Sequence, residues 1–116
     1  MDIQTVADLS LKENDRLAIE AAANLLLAQF PVDQVILYGS KVTGHDTDES
    51  DIDLLILTRQ ALSWQERDTI TDALFDLELA YDVVISTLVV PRNEWLTGYY
   101  ELLPIHHEIS RYGVAA

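Results

Sequence analysis

"YGSKVTGHDTDESDIDLLI" (residues 38–56) links the end of one apolar run to the start of the next. Val35, Ile36, Leu37 and Tyr38 before it, and Ile52 to Leu57 at its close, are short β-prone runs, and Gly39 ends the first of them. Between Asp46 and Asp53 the chain carries five acids, two of them, Asp51 and Asp53, flanking an isoleucine. Side chains alternate along a strand, so Asp51 and Asp53 share a face roughly 6.5–7 Å apart while Ile52 faces the other way. Like charges that close repel and raise one another's pKa, so an apolar strand carrying both calls for a compensating cation.

Mg²⁺ suits this demand, because it prefers oxygen ligands, takes one or two carboxylates and leaves its other positions to water and phosphate. Gly39 permits a sharp bend with close approach of backbone to a ligand, and the following N–H groups with the Ser40 hydroxyl can donate to phosphate oxygens. Lys41 adds a compact positive charge. Asp82, in "AYDVVI", lies at the mouth of the third predicted strand and is positioned to add a third carboxylate, which suits a two-ion site. Metal ligands on one side and phosphate donors on the other describe a site for a Mg²⁺-nucleotide.

Working outward, the pattern predicts alternating helices and strands. From Ser10 to Phe30, Leu17, Ala18, Ala21, Leu25 and Ala28 follow a helical period, with Ser10 and Glu13 as a capping box. Pro31 and Asp33 break that helix. Ser63 and Glu66 form a second capping box, followed by Ile70, Ala73, Leu74, Leu77 and Ala80 on one helical face ending about Tyr81. Val83, Val84 and Ile85 read as the third strand. Pro91 opens a polar and aromatic tail, helical from about Arg92, broken near Pro104 and ended by Gly113. The fold class is α/β (α+β): a mixed β-sheet with helices packed on it, in αβαβαβ order, plus a C-terminal helical tail. One domain is expected over residues 1–116, with a core about 33–88 and the tail about 91–116.

Composition narrows the partners. A chain of 116 residues with 49% hydrophobic content can bury a core of its own. Twenty acidic against seven basic residues give a formal net charge of −13, which argues against long nucleic acid, whose phosphates are bound mainly by Lys and Arg. There is no cysteine, so disulfides and thiolate metal sites are excluded. The amino terminus lacks a basic start and a long apolar run, no stretch reaches about 18 apolar residues, and a cytoplasmic, membrane-free protein is expected. Asp46, Asp48 and Glu49 read as a solvated loop. His45, His106 and His107 lack a zinc-site spacing, and surface or packing roles are expected of them. Trp64, Trp95, Tyr99 and Tyr100 read as core or partner-facing, because few basic residues surround them.

Gly39-Ser40, ten intervening residues, then Asp51-Ile-Asp53, resembles the signature of the DNA polymerase β-like nucleotidyltransferase superfamily, with Asp82 in "DVVI" matching its third aspartate. A chain with little beyond this core resembles the minimal nucleotidyltransferase (MNT) type, often the antitoxin of a HEPN-domain ribonuclease toxin. The resemblance implies a mixed sheet with helices on one side. It also implies that Asp51, Asp53 and Asp82 are catalytic and bind two Mg²⁺ ions, that Gly39, Ser40 and Lys41 hold the phosphates, and that ATP is the donor. Lys41 stands where many members carry Arg. The implied reaction is transfer of AMP from ATP to a tyrosine hydroxyl of the HEPN toxin, which neutralises it.

Two other functions stay open: a nucleotidyltransferase acting on a small molecule such as an aminoglycoside, and an antitoxin that acts by binding alone. The tail "EWLTGYYELLPIHHEISRYGV" (residues 94–114) has a composition suited either to covering the sheet or to docking a partner, and the sequence does not separate the two. Nor does it decide whether the chain forms homo-oligomers.

Overall fold

The run Ile52–Thr58 forms strand β2, the strand that organises the molecule. The computed structural model describes residues 5–6, 9–44 and 51–116. On one side β2 pairs antiparallel with β1 (Val32–Tyr38), placing Tyr38 directly across from Asp53. On the other it pairs parallel with β3 (Ile85–Pro91), placing Ser86 beside Asp53. A two-residue strand, β4 (Val114–Ala115), runs antiparallel along the free edge of β1, giving the order β3-β2-β1-β4. The mixed sheet agrees with the expected class. β4 was not foreseen, because two residues of periodicity carry no signal.

Both faces of the sheet are covered: the long helices of the αβαβαβ core lie on one side, as expected, and the C-terminal tail covers the other. Helices α1 (Glu13–Gln29) and α3 (Trp64–Tyr81) pack over Val35, Leu37, Ile52, Leu54 and Ile56. Buried Ala18, Ala22 and Ala23 let α1 lie close to the strands. The alternate residues, Leu55 and Leu57, meet a second apolar cluster from the tail: Trp95 on α4 (Arg92–Thr97) and Ile109 on α5 (Pro104–Tyr112). A 3₁₀ turn, Tyr99–Leu102, joins the two helices. The tail therefore serves the sheet first, while Leu96, Tyr99 and Leu102 remain exposed on its outer side.

Local signals explain most helix ends. Ser63 caps α3 as expected: its side chain accepts from the Glu66 N–H at 3.1 Å, and Glu66 Oε1 accepts from the Ser63 N–H at 3.1 Å. The Ser10–Glu13 box does not form. Helix α1 starts at Glu13 behind Lys12, which makes no side-chain cap. Leu9 and Leu11 pack against the core instead, and burial of these apolar side chains outweighs a cap of about 1 kcal/mol. Phe30 ends α1 in extended conformation, as a residue preceding proline prefers. Pro104 starts α5 rather than merely breaking a helix, a position where its missing N–H costs nothing.

The third strand also starts later than predicted. The N–H groups of Asp82 and Val83 still bond the Glu78 carbonyl, so the end of α3 consumes part of "DVVI". Asp82 turns the chain at φ 54°, ψ 54°, and the ladder begins only at Ile85, whose N–H donates to Glu78 Oε2 at 3.2 Å. The β-branched run suggested a strand; the helix-closing hydrogen bonds displaced its start towards Pro91. Of the expected α3 face, Ile70 and Leu74 are buried, while Ala80 is exposed. Among the described residues, no helix is long and apolar enough to cross a membrane.

Candidate active site

Alternation along β2 places Asp51 and Asp53 on the tail side of the sheet, with Leu55 and Leu57 farther along the same face. Asp51 is exposed at the strand entrance, and its Oδ2 accepts a hydrogen bond from the Ser86 hydroxyl at 3.0 Å. That contact ties the carboxylate to the neighbouring parallel strand. Asp53 is half-buried, and its carboxyl holds its proton more tightly than an ordinary aspartate. Burial is the main cause, followed by the charges of Asp51 and Glu108, while Lys41 acts in the opposite sense.

Gly39 is fitted to Asp53. Its backbone adopts φ 83°, ψ −156°, and a Cβ built there would collide with Asp53 Oδ2 and lie 3.3 Å from its Cγ. Only glycine meets both demands, positive φ and close approach. The turn passes at once into the short helix α2 (Ser40–Thr43), closed by N–H donation from Val42 and Thr43 to the Gly39 carbonyl at 3.1 and 3.3 Å. The structure thus brings Gly39, Ser40, Asp51 and Asp53 to one end of the sheet, as their spacing implied.

Lys41 is placed differently. Its Nζ lies 2.8 Å from Asp15 Oδ2 on α1, with the lysine side chain 2% exposed and the aspartate 11%. The ammonium expected beside phosphate is turned inward from Ser40 in this structure, since residues 100° apart on a helix point in different directions. Its charge still reaches Asp53. Asp82 is likewise not gathered in. It is the exposed C-terminal residue of the α3 turn, and among the described residues no three His, Cys, Asp or Glu side chains are grouped to hold a metal ion. The expected trio is not assembled in this structure: Asp82 caps α3 in a left-handed turn, and the ladder begins only at Ile85. The expectations for His45, Asp46, Asp48 and Glu49 lie outside the described residues. His106 packs on Trp95, with ring centroids 4.4 Å apart, and its Nε2–H donates to the Trp95 carbonyl at 2.9 Å.

Three neighbours were missed by sequence reasoning. Ser86 belongs to a strand whose register could not be read in advance. Glu108 lies on α5, and its charge acts on both Asp53 and Tyr38; nothing in the tail's composition marked it. Asp15 did carry a signal. It occupies the buried stripe of α1 with Ala18, Ile19, Ala22 and Leu26, and an acid at helical spacing among apolar residues demands a partner.

Carboxylates crowded on one face, with burial and mutual repulsion opposing ionisation of Asp53, make a donor set suited to a hard divalent cation such as Mg²⁺. Asp51 and Asp53 supply the number of carboxylates such an ion commonly takes.

Comparison with known proteins places the chain among nucleotidyltransferases. Residues 20–94 match the family described as Polymerase beta, Nucleotidyltransferase. A candidate protein adenylyltransferase from Methanocaldococcus jannaschii is 36% identical over 83 residues, covering 72% of this chain and 77% of its own. A solved candidate minimal nucleotidyltransferase superposes with a TM-score of 0.59 at 20% identity, over 90% of this chain and 97% of that one. A toxin–antitoxin structure with AMP-PNP gives a TM-score of 0.58 at 19% identity, over 90% of this chain and 72% of that one. At those identities the two structures speak for the fold.

Proposed function

The chain belongs to the polymerase β nucleotidyltransferase family, and from that premise we propose that it is a protein adenylyltransferase, moving AMP from ATP to a hydroxyl group of a partner protein. The observation that carries this reading is the fit of Gly39 against Asp53, which joins the glycine-serine turn to the acidic strand in a single site. The protein-acceptor class is supported by the name of the Methanocaldococcus jannaschii relative.

In this reading Asp51 and Asp53 hold Mg²⁺. Bound there, the ion would supply positive charge to the phosphate oxygens. Ser86 keeps the Asp51 carboxylate turned towards the strand end by its hydrogen bond. Ser40, with the donors of the Gly39 turn, binds oxygens of the leaving pyrophosphate. The acceptor oxygen forms a bond to the α-phosphorus as the bond from that phosphorus to the bridging oxygen breaks; the hydroxyl proton passes to solvent and pyrophosphate departs. Fixed donors around a transferring phosphoryl group act mainly by positioning and electrostatics.

The finer assignment is an antitoxin that modifies a HEPN-domain ribonuclease on a tyrosine. It rests on the resemblance of Gly39-Ser40 and Asp51-Ile-Asp53 to the minimal nucleotidyltransferases, and on a net charge of −13, which favours encounter with a basic, RNA-handling surface. The fold shared with the toxin–antitoxin structure is compatible with it.

The experiment is direct. The protein is incubated with Mg²⁺, labelled ATP and a HEPN-domain protein encoded beside it, and the partner's mass is followed. A gain of AMP that vanishes with Asp53→Ala supports the reading. Full neutralisation of the toxin by Asp53→Ala points to an antitoxin that works by binding alone, and label appearing only on small acceptors points to a small-molecule transferase.

A further inference from the structure

The buried pair formed by Asp15 and Lys41 has no place in the chemistry above. Its position does have a consequence for the turn. Residues 39, 40 and 41 are fixed from opposite sides. Gly39 rests against Asp53 on the tail side of the sheet. Lys41 passes to the other side, where its Nζ lies 2.8 Å from Asp15 Oδ2 within the layer that α1 forms. Ser40 lies between the two.

We infer that Asp15, through its buried ion pair with Lys41, is the positioning residue that sets the Gly39–Ser40 turn against Asp53. This rests on the nucleotidyl-transfer reading for its functional meaning, though not for its geometry. Helix α2 is a single turn, too short to hold its own orientation. Rotation about its axis would swing the Ser40 hydroxyl and the backbone donors together. An inward Lys41 held by an aspartate on a long helix opposes that rotation, because turning α2 would pull the ammonium from a buried carboxylate 2.8 Å away and leave Asp15 to bear the cost. Lys41 thereby acts through Ser40 and Gly39, without touching phosphate.

The test replaces both partners by apolar chains of similar length, Asp15→Leu with Lys41→Met, so that neither charge is left alone; Lys41→Arg, which preserves the pair, is the companion. Amide hydrogen exchange is read at Val42 and Thr43, whose N–H groups close α2, with the α3 amides as internal standard. The double variant is expected to exchange there on the order of tenfold faster at unchanged α3 protection. Its KM for ATP should rise by about tenfold with kcat changed far less, as loss of donor positioning requires. Lys41→Arg should keep wild-type values in both. A double variant with wild-type exchange at Val42 and Thr43 and wild-type KM overturns the assignment, as does a Lys41→Arg protein that loosens α2. Failure of the wild-type protein to bind or use ATP would remove the nucleotidyl-transfer reading, and the exchange data would still decide whether the pair anchors the turn.

Discussion

Gly39 and Asp53 meet so closely that the glycine has room for no side chain: a Cβ there would strike the carboxylate oxygen. Two distant points of the sequence are locked together by this absence, and φ 83° adds a second reason for glycine. Gly39→Ala must strain the backbone, displace Asp53, or both. Stability should fall by about 1–3 kcal/mol, and AMP transfer by about a hundredfold or more, since an ångström of misplacement is enough. Thermal melts and transfer assays on the same preparation separate these effects. An alanine variant with wild-type transfer would show that the close fit serves folding alone.

Asp53 gives a prediction with a defined sign. Its carboxyl is pushed above the ordinary value of 3.8, first by burial, then by Asp51 and Glu108, against the relief from Lys41. A raised carboxyl binds its proton more tightly in the folded chain than in the unfolded one. Its ionisation therefore opposes folding: the penalty is absent well below pH 3.8, grows as pH rises through the folded value, and is complete above it. Asp53→Asn should melt higher than wild type at pH 7, with the gap closing in acid. Mg²⁺ should reverse the order at neutral pH by stabilising wild type and not the variant. Calorimetry with and without Mg²⁺ at both pH values checks all three statements.

Asp82 presents the opposite case. In a left-handed turn ahead of β3, it closes a helix, and glycine is the residue best suited to that geometry. Asp82→Gly should leave stability unchanged or raise it by about 0.5–1 kcal/mol. Asp82→Asn should lower AMP transfer much less than Asp53→Asn does, if catalysis uses the arrangement seen here. Equal losses in the two asparagine variants would mean that Asp82 joins the other carboxylates when nucleotide is bound. Transfer rates of both variants at saturating Mg²⁺ make the comparison.

What the sequence disclosed follows from the range of each signal. The two central strands and the Ser63 cap depend on residues a few positions apart, and they lie where periodicity and capping chemistry put them. The convergence of Gly39 with Asp53 was legible because a strand, a turn and a second strand leave few routes for the intervening chain. Lys41 was not legible, since its direction depends on Asp15, 26 residues earlier, and no local rule pairs the two. The start of β3 was misplaced for a similar reason: the β-branched residues after Asp82 favour a strand, whereas the hydrogen bonds that end α3 are set by the whole helix. The covering of the second face rests on Trp95 and Ile109 meeting Leu55 and Leu57, contacts between positions far apart in the sequence that no local pattern marks.

Trp95 shows how firmly that second face is held. It is 5% exposed, stacks with His106, lies 6.1 Å from Tyr100 by ring centroid, and packs with Leu55 and Leu57 beneath. Trp95→Ala should cost about 3–5 kcal/mol and release α5 from the sheet, carrying Glu108 away from Asp53. The Asp53 carboxyl should then titrate closer to an ordinary aspartate, provided the variant is folded. Denaturant melts give the first number, and carboxyl-detected NMR titration gives the second. An unchanged Asp53 titration in a folded Trp95→Ala protein would show that α5 exerts no field on the site.

Charge sets the last expectation. With twenty acids against seven basic residues, the field of the whole molecule attracts a cationic partner from a distance, whereas screening shortens that reach to about 8 Å at physiological ionic strength. For a basic HEPN-domain partner, the association rate should fall steeply, by about tenfold or more, between low salt and 0.5 M, while dissociation changes little. The exposed Leu96, Tyr99 and Leu102 offer apolar contact that salt does not weaken. Stopped-flow association measured across ionic strength tests this division. A rate constant independent of salt would remove long-range attraction from the encounter and leave the negative charge without a part in partner choice.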